Sequence, residues 1–167
     1  MKVVFYLVFA SLFWVYRLFP LRSKAVFIHT HDRAMGGNIG AVYKAMQERN
    51  LVSSYHRISR ENYRHLRRLI AFFFVKSYHL ATARYVFLDN VFLPFAFIRF
   101  RREVKVVQLW HGTGSLKKFG QHVNTGLLRR LERRANRVYT HLIVNSRKMA
   151  DLYASAFGVV REGVYPI

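Results

Sequence analysis

The hydrophobic pattern divides the chain into one long apolar block and, after it, an alternation of short and long segments. Val3 to Tyr16 reads VVFYLVFASLFWVY, bounded by Lys2 and Arg17. As a helix rising about 1.5 Å per residue it spans roughly 21 Å, short of the ~30 Å hydrocarbon core of a bilayer. The flanking charges Lys2, Arg17, Arg22 and Lys24, with Trp14 and Tyr16 near one end, predict a helix lying in or dipping into a cytoplasmic leaflet. A full span would have to tolerate Arg17 and Pro20. Cleavage of a signal peptide near Ser23-Lys24-Ala25 would cut into the next strand.

Beyond this block, β-branched runs alternate with helical periodicity. Strands are predicted over 24–30, 51–58, 84–90, 103–110 and 141–146, with another beginning as the chain ends. Helices are predicted over 36–50, opened by a glycine turn with Asn38 as N-cap, and over 61–83, 126–139 and 147–158, the last closing on Gly158. Apolar strands separated by helices imply an α/β fold, a Rossmann-like parallel sheet with helices on both faces. The expected organisation is an apolar membrane-associating helix over 1–23 and one sheet domain over 24–167. In such sheets ligands bind beyond the carboxyl ends of the strands, which makes Asn38, Asn90, His111 and Ser146 candidate neighbours on one edge.

Composition sharpens this. With 52% hydrophobic and 16% aromatic residues the chain is not disordered. Lys and Arg number 28 against 8 Asp and Glu, a net charge of +20, which points to a polyanionic partner. No nucleic-acid-reading motif accompanies that charge, so an anionic membrane surface is expected and nucleic acid is not. Cysteine is absent, which removes disulfide and thiolate chemistry. His29-Thr30-His31-Asp32 has a His-x-His spacing, but nothing completes a ligand set, and no metal or cofactor is expected. Gly36-Gly37-Asn38 before a helix could cradle a phosphate. Arg129, Arg130, Arg133, Arg134 and Arg137 fall largely on one helical side, suited to anionic headgroups. The Phe cluster in RRLIAFFFVK (67–76) is expected to be core rather than interface.

The candidate chemistry lies in QLWHGTGSLKKFG, residues 108–120. Trp110 and Gly112 would let a ring and bare backbone approach a substrate around His111, and Thr113 adds a hydroxyl. Lys117 and Lys118 would weaken the imidazole's hold on a proton, favouring a neutral general base, and would attract phosphate oxygens.

This segment resembles the W-H-G-T-x-x-x-K-K-x-G signature of the CDP-glycerol glycerophosphotransferases, membrane-associated enzymes that prime or polymerise wall teichoic acid. SYHLATARYVFLDNVFLP (77–94) and HLIVNSRKMADLYASAFGV (141–159) are also similar to segments of that family, and the likeness runs through about residues 24–167. The resemblance implies the N-terminal domain of a glycosyltransferase-B fold. His111 would deprotonate a hydroxyl of a lipid-linked polyol phosphate acceptor, and the oxygen would attack the β-phosphorus of CDP-glycerol, releasing CMP. Lys117 and Lys118 would hold phosphates, while Trp110, Gly112, Thr113, Asn38, Asn90 and Ser146 would line the substrate site. Family members run on past a G-x-P-R-x-D stretch near where this sequence stops, so the donor-binding second domain is expected to be absent. The implied location is the cytoplasmic face of the cell membrane, peripheral or anchored by the N-terminus. Alternatives are a non-catalytic membrane-binding module and half of a nucleotide-sugar glycosyltransferase.

Overall fold

A computed structural model describes residues 2–30, 35–59, 65–110 and 118–166. Six strands form one sheet: β1 (Arg22–His29), β2 (Ser54–Ser59), β3 (Ala83–Leu88), β4 (Lys105–Gln108), β5 (His141–Val144) and β6 (Val164–Pro166). All neighbours are parallel and the order is β2-β1-β3-β4-β5-β6. Every strand end that could carry chemistry therefore lies on one edge, and the order reverses direction between β1 and β3.

Helices cover both faces unequally. On one side α2 (Gly37–Glu48) packs Ile39 and Met46 on Ala25 and Phe27 of β1. The other side carries α1 (Lys2–Tyr16), α3 (Leu66–Ile70), a π-helical turn (Ala71–Lys76), α4 (Ser77–Ala81), α5 (Gly126–Asn136) and α6 (Ala150–Phe157). This matches the doubly covered parallel sheet read from the sequence. Asn38 differs from the expectation: Gly36 is the N-cap, and Asn38 sits inside the first turn with its side chain directed elsewhere.

The apolar block forms α1, and its Phe5–Phe9–Phe13 stripe, spaced by four, packs inward. Phe9 lies 4.8 Å from Phe72 and 5.8 Å from Phe92, and Phe13 lies 5.4 Å from Phe100, centroid to centroid. Each buried phenyl contributes about 1.5–3 kcal/mol. The carboxyl end of the helix is held by Arg101, whose guanidinium donates to the Arg17 and Phe19 carbonyls. Trp14 Nε1 donates to the Phe97 carbonyl at 3.1 Å. The opposite side of α1 leaves Val4, Leu7, Val8 and Val15 exposed, and Leu18 beyond it is 85% exposed.

The RRLIAFFFVK stretch divides in the same way. Phe72 is buried and Phe73 packs on the core, as expected, while Ile70, Phe74 and Val75 are exposed. The π-helical turn carries this change of facing, and Ser77 Oγ donates back to the Phe73 carbonyl within it.

A basic cluster sits under β1, β2 and α4. Lys24 is only 3% exposed. Its ammonium contacts His79 Nδ1 at 3.4 Å and lies 4.6 Å from the Tyr78 ring centroid. His56 and His79 stack at 3.5 Å. Among the described residues no carboxylate reaches the group. Burial, then the Arg22 charge, pulls Lys24 down to about 8. Burial, then His56, Lys24 and Lys76, pulls His79 down to about 4, and His56 is lowered too. A depressed histidine pKa favours the neutral ring in the fold, so its contribution is present above the unfolded value and lost as pH falls. Thermal unfolding is therefore expected to show stability falling between about pH 6.5 and about pH 4, with His79→Gln flattening that limb. Lys24→Met removes an ammonium buried without an acid, and is expected to add about 1–2 kcal/mol at pH 7 in a urea titration.

Candidate functional site

The carboxyl edge is organised around Gln108, the last residue of β4 and fully buried. Its Nε2 donates to the Asn90 carbonyl at 3.3 Å and to the Tyr139 hydroxyl at 3.2 Å, while its Oε1 accepts from the Trp110 amide at 3.0 Å. Burial pushes the Tyr139 phenol well above its ordinary value, so it stays neutral in this network. One amide thus ties together the chain after β3, the chain after β4 and the approach to β5.

Trp110 is the pivot of this edge. Its φ is +52°, a left-handed conformation uncommon for a bulky residue. Contacts from several elements hold it there. Gln108 takes its amide, and Asn38 Nδ2 donates to its carbonyl at 3.2 Å and to that of Leu109 at 3.4 Å. Its ring stacks on Phe119 at 5.1 Å and stands edge-on to Phe157 at 5.1 Å. Trp110 and Phe119, on either side of the 111–118 segment, are therefore in contact with each other. Gly120 completes the return: its φ is +57°, and a Cβ there would come within 2.3 Å of the Ala156 carbonyl oxygen. Only glycine fits at that crossing.

Sequence-predicted residues thus fall into groups. Asn38 and Trp110 are bonded to each other, and Asn90 joins them through Gln108. Lys118 is exposed just before Phe119. Ser146 comes after β5 on the same edge and precedes a 3₁₀ turn (Arg147–Met149), with no side-chain bond to the Gln108 group among the described residues. His111, Gly112, Thr113 and Lys117 lie outside the described residues. Gln108, Tyr139, Thr30 and Asp89 were not singled out in the sequence, yet they build the edge. Asp89 is buried and its Oδ1 accepts from the Thr30 amide at 3.1 Å, joining the ends of β1 and β3. Gln108 had one legible signal, a lone amide inside the apolar VVQLW run.

A cleft of about 460 Å³ opens at the β1/β3 reversal. Thr30 and Asn90 provide its strand-end side, and Phe5 and Tyr6 of α1 line it together with Phe72 and Phe92. Among the described residues, no group of three or more His, Asp or Glu side chains is arranged to hold a metal ion.

The family model for CDP-glycerol:poly(glycerophosphate) glycerophosphotransferase matches residues 11–167. A teichoic acid ribitol-phosphate polymerase of Staphylococcus aureus is 31% identical over 166 residues, covering 95% of this chain and 29% of that protein. A teichoic acid glycerol-phosphate primase of Bacillus subtilis is 33% identical over 87 residues, 49% of this chain and 23% of that protein. Among solved structures, the wall teichoic acid polymerase TagF superposes with a TM-score of 0.68 at 14% identity, over 95% of this chain and 42% of that one. That likeness shows the fold. The chain spans less than a third of the length of these two curated relatives.

Gln108→Leu keeps the volume of the side chain but deprives the Trp110 amide, the Asn90 carbonyl and the Tyr139 hydroxyl of a buried partner. It is expected to cost about 2–4 kcal/mol in urea unfolding, with a red shift in tryptophan emission as the Trp110 ring loosens.

Proposed function

Because this chain belongs to the CDP-glycerol:poly(glycerophosphate) glycerophosphotransferase family, we propose that it forms the acceptor-side, membrane-facing part of such an enzyme. The reaction is transfer of glycerol phosphate from CDP-glycerol to a lipid-linked glycerophosphate acceptor in teichoic acid synthesis. The observation that carries this reading is the family match across residues 11–167, which takes in the whole Trp-His-Gly-Thr segment. Support comes from the strand that delivers it: β4 ends at Gln108 on the ligand-binding edge of a parallel sheet, three residues before His111.

In this mechanism the His111 imidazole takes the proton from the acceptor's terminal hydroxyl. The freed oxygen attacks the β-phosphorus of CDP-glycerol, the new P–O bond forms, and the bond to CMP breaks with CMP carrying off its electron pair. Positioning and charge stabilisation dominate such transfers. Lys117 and Lys118 neutralise phosphate oxygens, and Trp110, through its fixed backbone, sets where His111 begins. Gly112, Thr113, Asn38, Asn90 and Ser146 complete the substrate-side edge. CDP-glycerol binding is assigned mainly to a second domain.

On this reading the chain works at the cytoplasmic membrane face. Among the described residues no helix is long and apolar enough to cross a bilayer. The exposed apolar side of α1, together with the net charge of +20, suits peripheral docking on anionic lipid. A second reading, a membrane-binding module without catalysis, is favoured by that same exposed side, which needs no chemistry in order to dock.

Membranes carrying the chain, with the donor-binding domain of a relative supplied in trans, are expected to release CMP from CDP-glycerol, and His111→Ala to lower that rate at least about 100-fold, the scale of a lost general base. Equal rates would remove His111 from the chemistry; release in neither sample, with the donor-binding domain present, would favour the module. Anionic liposomes are expected to float the chain, and Leu7→Glu with Val15→Glu to reduce flotation several-fold.

A further inference from the structure

The cleft at the β1/β3 reversal has a composition unlike a site for a nucleotide or a free polyol. Apart from Tyr6, Thr30 and Asn90, every residue lining it is apolar, and three of those are phenylalanines. Its volume of about 460 Å³ falls in the range of roughly 300–1,000 Å³ that holds small-molecule ligands. An aqueous polyol phosphate gains nothing from phenyl walls. A hydrocarbon chain does, at about 0.8 kcal/mol per buried methylene.

The polar groups are also placed selectively. Thr30 and Asn90 come just after β1 and β3, at the end of the cleft that meets the strand edge. Among the described residues the Thr30 hydroxyl and the Asn90 Nδ2 have no hydrogen-bond partner; the Asn90 Oδ1 is taken by the Val91 amide at 2.8 Å. The Tyr6 phenol is raised by burial and stays a neutral donor. These groups offer hydrogen bonds to a polar head while the walls take an apolar tail. The wall itself is α1, whose Phe5 and Tyr6 line the cleft while Val4, Leu7 and Val8 on the same two turns are exposed. Apolar surface thus runs from outside the molecule to the cleft along one helix. The π-helical turn extends the same wall, because Phe72 lies within it and stacks on Phe5 at 5.2 Å. Such turns recur at functional sites.

We propose that this cleft binds the hydrocarbon chain of a phosphate-bearing lipid, with the phosphate end at Thr30 and Asn90 on the strand edge. The assignment rests on the acceptor-side reading above for its biological lipid, the lipid-linked acceptor. The chemistry alone also admits an acyl chain of a membrane phospholipid. In either case the tail anchors a substrate or lipid whose head is delivered to the edge where β4 ends.

The absence of cysteine makes this directly measurable. Leu93→Cys and, separately, Val91→Cys place a single thiol in the lining, and Val160→Cys places one on a 72% exposed position, after α6, that is not part of the lining or of α1. The full chain is labelled with a maleimide with and without decyl phosphate below its aggregation concentration. Slowing of at least about 5-fold, the scale of a site mostly occupied by ligand, is expected at positions 93 and 91 and none at 160, with inorganic phosphate alone having no effect. Geranylgeranyl phosphate protecting better than decyl phosphate identifies a branched carrier lipid; protection by phosphatidylglycerol vesicles alone identifies membrane acyl chains. Unchanged labelling at both 93 and 91, or equal slowing at 160, overturns the proposal. No CDP-glycerol enters this assay. Protection without CMP release, the latter measured with the donor-binding domain supplied in trans, would retain the lipid cleft and reject the transferase reading, and CMP release without protection would do the reverse.

Discussion

The strained backbone of Trp110 is the constraint on which the edge depends. A left-handed tryptophan costs on the order of 1–3 kcal/mol relative to an ordinary conformation. It persists because its amide, its carbonyl and its ring are each held by a different element: Gln108 from β4, Asn38 from α2, and Phe119 with Phe157 from the far side of the loop and α6. Each of these fixes a different part of the residue, so backbone and ring are set independently. Together they turn the backbone out of the strand direction just past the end of β4, on the sheet's carboxyl edge. Gly120 makes the return possible from the other side by passing against the Ala156 carbonyl where no side chain has room. The first and last residues of the W-H-G-T-x-x-x-K-K-x-G pattern therefore have structural reasons that do not depend on any reaction.

That separation matters for reading the motif. Its ends, Trp110 and Gly120, anchor, and its interior carries the groups with acid–base and cationic character. The stack of Trp110 on Phe119 fixes how far apart those two residues lie.

The parallel sheet, the helix positions and the Gly158 cap, whose φ is +66°, were legible in the sequence because each is a local signal: period-2 or period-3.6 hydrophobicity and one residue tolerant of a left-handed backbone. Of the four residues that parallel topology alone put on one edge, Asn38 and Asn90 join the Gln108 group, Ser146 follows β5, and His111 lies outside the described residues. What was not legible is non-local. Asn38 looks like an N-cap because a short amide precedes an amphipathic run, yet it reaches across 72 positions of sequence to the Trp110 carbonyl. Gln108 reads as a defect in an apolar strand until the three groups it satisfies are visible. The stack of His56 on His79 joins residues on separate elements, and no spacing rule connects them.

The same limit explains the N-terminal block. Helix length and flanking charge separate spanning from lying on a surface, but they do not say which face meets protein. The Phe5–Phe9–Phe13 stripe buries on Phe72, Phe92 and Phe100, while Val4, Leu7 and Val8 do not. In an all-apolar helix both faces look equivalent in sequence, and only the partner's shape selects one. Aromatic rings were selected here, which is consistent with packing: flat side chains meeting edge-on fill space between crossing elements with little rotamer entropy lost. The aliphatic side is what remains outward. A helix with Phe5, Phe9 and Phe13 inward and Val4, Leu7, Val8 and Val15 outward can belong to the domain's core and present an apolar surface at once. The cleft lies where those two faces adjoin, beside Phe5 and Tyr6. Substituting polar residues on the outward side should therefore alter surface behaviour while leaving the core contacts of Phe9 and Phe13 in place.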